Sequence, residues 1–268
     1  MQDRYAGDLG DFLKFGLLRW LVSPSPDAPV HRLGVVWYRV PDEYHNTDGE
    51  HIAYLDPASP AGLDLRPLDP DLYDRLRRMV DSGHRSIASL STSGVLPRGT
   101  ISYDPMLTFS GLGTADRAAR IARRQEWLQG AFVAVEPCSL VFVDPDNGLR
   151  RDDHTVPAHR NTAEKHAYLS EVGRLLDRGH SVVAYHHADR SESVADQAWS
   201  SMRDIHQELG VEPLAAVRAS RGTTRLFIVM PAPEHRSGLE ARLRSLLLSD
   251  WGSELRLYRW EQSEALAG

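Results

Sequence analysis

Three short runs without a charged side chain constrain this chain most: residues 33–38 (LGVVWY), 139–143 (SLVFV) and 181–185 (SVVAY). Strands that read as continuous apolar runs need cover on both faces, which a parallel sheet between two helical layers provides. Helical spacing between them predicts helices over residues 8–22, 70–80, 114–135 (with Thr114 as cap), 162–177, 193–209 and 234–248, and a further strand over 85–90. Residues 214–219 and 225–230 read as two more strands. The link 220–224 leaves no room for a crossover helix, so this last pair is expected to be antiparallel. The proline-rich stretches 23–29 and 56–70 read as connectors inside one unit. The expectation is therefore an α/β fold, a single domain over residues 1–268 on one doubly wound, mostly parallel sheet that ends in an antiparallel strand pair.

Composition narrows the function classes without choosing among them. Hydrophobic residues make up 41% and charged residues 25%, an ordinary globular balance. No apolar run approaches the roughly 20 residues that span a bilayer. Asp3, Asp8 and Asp11 interrupt the amino-terminal apolar residues, which is unlike a secretory signal. A lone cysteine, Cys138, fits a reducing compartment, so a cytoplasmic location is expected. The formal net charge of −6 does not advertise nucleic acid. Arg117, Arg120, Arg123 and Arg124 nevertheless cluster within one expected helix, as a face for phosphates or as a solvated face. Nucleic acid thus stays open as a partner through Arg117, Arg120 and Arg124. Lys14 and Lys165 are the only lysines in a chain that otherwise uses arginine, which draws attention to both.

In open α/β sheets ligands sit beyond the carboxyl ends of the strands, and four polar segments fall at that edge. They are residues 5–14 (YAGDLGDFLK), 40–54 (VPDEYHNTDGEHIAY), 144–148 (DPDNG) and 185–190 (YHHADR). Asp144 ends a buried strand and precedes a proline, so it is held rigidly. Its side chain is expected in the crevice, where alanine would remove function and leave the fold. Asp146 and Asn147 follow in the same turn. His45, Asp48 and His51 offer imidazoles and a carboxylate close together, a ligand mix that suits a metal. His186 and His187 are adjacent, so on a strand they face opposite ways.

Taken in order, these segments resemble the bacterial 23S ribosomal RNA adenine-N6 methyltransferases of the J type. Residues 6–14 are similar to that family's His-Ala-Gly-Asn-x-Ala-Asp-x-x-Lys-His start, whose lysine falls on Lys14. Residues 140–147 resemble its strand ending in Asp-Pro-Pro-Tyr, so the catalytic aspartate falls on Asp144. Tyr185-His186 stands where the family has Tyr-Pro, and residues 227–233 (FIVMPAP), with Leu239 and Trp251, resemble its closing Val-Ile-Asn-Pro-Pro-Trp segment. A parallel sheet finished by an antiparallel pair is also the pattern of the class I methyltransferase fold. Three positions depart from the family. The glycine-rich turn after the first strand is replaced by residues 40–44 (VPDEY), Asp146-Asn147 stands for Pro-Tyr, and Phe15 stands for histidine. The chain resembles more closely still a group of functionally uncharacterised bacterial proteins that share the Gly-Asp-x-Gly-Asp start and the Asp-Pro-Asp-Asn-Gly motif.

The resemblance implies an S-adenosylmethionine-dependent transferase, with a small molecule or a nucleobase as acceptor. In that reading Asp144, Asp146, Asn147, Lys14 and His186 carry the chemistry, and Asp8, Asp11, Lys14, Tyr38, His45 and Asp48 hold the cofactor. Two other readings stand beside it. One is a metal-dependent hydrolase or nuclease with Asp144, Asp146, His45, Asp48 and His187 as ligands. The other is a nucleotide-binding module without chemistry. Lys14, Asp144 and at least one of His45, Asp48 and His51 are expected to line one pocket.

Overall fold

Strand β1 (Leu33–Trp37) is buried along its whole length, as its unbroken apolar sequence requires. The computed structural model describes residues 1–24, 30–43, 49–152, 162–189 and 191–261. Helix α1 (Leu9–Val22) precedes β1, and α2 (Pro60–Leu65), α3 (Pro70–Asp81) and α4 (Ile87–Thr92) follow it. Then come β2 (Ile101–Tyr103), α5 (Arg117–Val135), β3 (Leu140–Asp144), β4 (Gly148–Arg150), β5 (His166–Tyr168), α6 (Leu169–Leu176) and β6 (Ser181–His187). Helix α7 (Val194–Leu209), β7 (Ala215–Ala219), β8 (Arg225–Met230), α8 (Arg236–Leu248) and β9 (Leu255–Arg259) complete the order.

Seven strands form one sheet in the order β2-β1-β3-β6-β8-β7-β9. The three strands expected at its centre are neighbours there: β1 pairs parallel with β3, and β3 parallel with β6. The last two expected strands form the antiparallel pair β7–β8, and β8 inserts between β6 and β7. One face of the sheet carries α1, α3 and α8 over a core that includes Phe12, Leu18, Tyr73 and Leu243. The other carries α5, α6 and α7 over Trp127, Val172 and Met202. Among the described residues, no helix is long and apolar enough to cross a membrane.

Several elements differ from expectation, each for a local reason. Residues 85–90, expected as a strand, begin α4 instead, because Ser86 accepts the Ser89 amide and caps a helix. The connector 56–70 holds α2, capped by Ser59. Helix α5 starts at Arg117, with Asp116 rather than Thr114 at its cap position. The helix expected from residue 162 starts only at Leu169, where the Glu171 carboxylate accepts the Tyr168 amide. Residues 166–168 before it pair with β4 in a separate two-stranded sheet.

Candidate functional site

Helix α1 begins with Asp8, whose carboxylate accepts the Asp11 amide. Gly7 just before it has φ +82°, a left-handed backbone that glycine adopts without strain. The Tyr54 hydroxyl donates to the carbonyls of Gly7 and Asp8, and Arg85 Nε donates to that of Ala6. This first turn is thereby fixed over the carboxyl ends of β3 and β6 and the amino end of β8.

One turn along α1, Lys14 reaches the end of β3. Its ammonium lies 2.6 Å from Asp11 Oδ1 and 2.8 Å from Asp144 Oδ2, and all three side chains are buried. The rings of Phe15 and Trp37 lie 5.0 Å from the same nitrogen. Burial opposes the Lys14 charge, but the two carboxylates outweigh it and raise its pKa. Burial also pushes the Asp11 carboxyl up to about 6, against the pull of Lys14. Asp144 uses Oδ2 for Lys14; among the described residues its Oδ1 receives no hydrogen bond.

These groups form the floor of a cavity of about 390 Å³, within the range of small-molecule sites. Asp146, Asn147 and Lys165 make one side of it, and Tyr185, His187, Thr223 and Arg225 another; Tyr5, Glu43 and His51 also line it. Lys165 Nζ stands 2.5 Å from Glu43 and 3.4 Å from Asp146. Burial alone would raise the Asp146 pKa, yet the Met1 amine, the Gln2 amide and Lys165 together hold it below the usual value. Arg225 Nη2 lies 3.2 Å from Asp8 Oδ2.

The cavity gathers most of the residues singled out in the sequence: Asp8, Asp11, Lys14, His51, Asp144, Asp146, Asn147 and His187. His45 and Asp48 lie outside the described residues. Two assignments need correction. Tyr38 does not line the cavity; it points to the opposite face of the sheet, where its hydroxyl donates to Glu171. His186 also belongs to that face. Alternation along β6 sends Tyr185 and His187 to the cavity and turns His186 toward β4, where its Nδ1 accepts the Leu149 amide. There burial lowers the His186 pKa to about 4.

The basic helix face is corrected too. Arg120 and Arg124 are buried, with Arg124 forked on Glu171 and Arg120 over the Phe109 ring, while Arg117 is exposed. Lys165, Glu43 and Arg225 are cavity residues that the sequence reading did not assign. For Lys165 its rarity was the available signal. Arg225 is visible as a cavity residue only through the β6–β8 register, which sets it opposite His187.

Among the described residues, no group of three or more His, Cys, Asp or Glu side chains is placed to hold a metal ion. Asp144 and Asp146 each face an ammonium instead. No family model and no curated protein matches the chain, so its own residues carry the functional argument.

Proposed function

We propose that the chain is an S-adenosylmethionine-dependent, methyltransferase-like enzyme acting on a small molecule or nucleobase. The observation that carries this reading is the buried contact between Lys14 and Asp144. It joins the two segments whose motifs resemble the methyltransferase family, 130 positions apart, at the floor of one cavity.

The chemistry of the lining suits the cofactor. Five carboxylates, on Asp8, Asp11, Glu43, Asp144 and Asp146, face three cationic side chains, on Lys14, Lys165 and Arg225, and the Met1 amine. An excess of negative charge complements the sulfonium and ammonium groups, Arg225 and Lys165 suit the carboxylate, and Tyr5 and Tyr185 supply ring surface. When bound, the cofactor supplies a methyl group activated by the positive sulfur. Asp144 Oδ1 accepts a hydrogen bond from the acceptor N–H and orients it, a contribution of alignment rather than of proton abstraction. His187, in place of His186, is the β6 imidazole that faces the cavity, where with His51 it offers a place for the proton that the acceptor releases. Val40 N donates to the Met1 carbonyl, so the turn after β1 is already engaged by the protein itself. The cofactor therefore relies on the start of α1 and on the ends of β3, β6 and β8.

Calorimetric titration with S-adenosylhomocysteine, with and without chelator, tests the reading. Saturable one-site binding unchanged by chelator is expected. No binding at millimolar ligand overturns the reading. A response that needs added divalent ion transfers the site to the metal-dependent hydrolase alternative.

A further inference from the structure

Two buried arginines of α5 grip the segment that carries Lys165. Arg124 donates from Nη1 to the Ala163 carbonyl at 2.8 Å and from Nη2 to the His166 carbonyl at 2.6 Å. Those two carbonyls flank Glu164 and Lys165. The same guanidinium is forked on Glu171, Nε to Oε1 at 2.5 Å and Nη2 to Oε2 at 2.9 Å, a geometry only arginine provides. Arg120 adds a contact of 3.8 Å to Glu164. From the other side, the Asn147 amide donates to the Lys165 carbonyl at 2.8 Å. The main chain around Lys165 is thus tied to α5 and to the turn after β3, while its ammonium faces Glu43 and Asp146 in the cavity.

We propose that Arg124 is a positioning residue for the cavity, acting through Lys165. By holding the carbonyls on either side of this lysine it fixes the Lys165 ammonium on Asp146 and Glu43. The two buried arginines of α5 then serve the site from behind the sheet. The geometric part concerns the chain alone; its relevance to a ligand rests on the function proposed above.

The scarcity of lysine makes the test selective. The full-length protein is treated with acetic anhydride under native conditions, and acylation is followed by peptide mass spectrometry. Lys14, buried between two carboxylates, is the internal control. In Arg124→Gln, Lys165 is expected to acylate at least tenfold faster than in the wild type, with Lys14 unchanged. Arg124→Lys, which keeps the charge against Glu171 but has no fork, is expected to fall between the two. A merely structural role would raise both lysines together, so a parallel rise overturns the proposal, as does a folded variant with Lys165 unchanged within twofold. Where neither variant folds, NMR of the wild-type guanidinium protons decides. Slowly exchanging Arg124 Nη protons support the grip, and Nη protons that exchange as fast as those of the exposed Arg117 overturn it. Titration of the same variants with S-adenosylhomocysteine separates the two claims. If Lys165 responds but no ligand binds, the cofactor reading fails and the positioning stands; binding with no response at Lys165 gives the reverse.

Discussion

Lys14 is the residue on which the site turns, because one ammonium serves two buried carboxylates from distant parts of the chain. Breaking a buried pair by removing one partner typically costs about 3–5 kcal/mol. Asp144→Ala should therefore lower stability by about that amount in urea denaturation, so alanine here disturbs the fold as well as the function. Asp144→Asn keeps an oxygen for the lysine to donate to, and should cost only about 1–2 kcal/mol. It should still bind S-adenosylhomocysteine while losing transfer. An Asp144→Ala protein with the wild-type urea midpoint would show that the pair does not hold the two segments together. Asp144 was legible in the sequence because a carboxylate after four buried apolar residues and before proline has few places to go. Tyr38 and His186 were misassigned because the sequence shows that neighbours alternate, but not which parity faces the cavity.

At the scale of elements, the approach of α1 to β8 depends on Gly10. A Cβ at this position would meet Arg225 Cζ at 2.3 Å and its Nε at 2.4 Å. Gly10→Ala therefore forces the guanidinium off the first turn of α1, and overpacking of this kind costs about 1–3 kcal/mol. Arg225 would move with respect to Asp8 and the cavity, so weaker binding of S-adenosylhomocysteine should accompany the lower melting temperature. Unchanged binding would mean that Arg225 is not part of the ligand surface. The long apolar strands could be read directly, and so could the antiparallel pair, because its link is too short for a helix. The edge strands β2 and β9 escaped for physical reasons. The first spans three residues, and the second alternates apolar residues with arginine at the margin of the sheet. Strand β5 was hidden inside an expected helix because its sequence, His-Ala-Tyr, is settled by pairing with β4 rather than by its own pattern.

Across the whole molecule, acid stability should follow two opposing sets of buried groups. Burial lowers His31, His166 and His186 from 6.5 to about 4. The unfolded chain then holds more protons than the folded one between those values. The stability these neutral histidines contribute is present above pH 6.5 and is lost as pH falls toward 4. Asp11 works in the opposite sense. Its folded carboxyl is raised from 3.8 to about 6, so the folded state holds the extra proton, and the stability this gives is lost as pH rises through 6. Near pH 5 the three histidines outweigh the one carboxyl, and these four groups together release the equivalent of about two protons on folding. Unfolding free energy measured with urea from pH 4.5 to 5.5 should therefore rise with pH. Replacing any one of the three histidines with glutamine should flatten that slope by about one proton, or about 1.4 kcal/mol per pH unit. Asp11→Asn should steepen it, since the opposing group is gone. A histidine variant with the wild-type slope would mean that its imidazole is not held neutral in the fold. An Asp11→Asn variant with the wild-type slope would mean that Lys14 keeps both of its carboxylates ionised through this range.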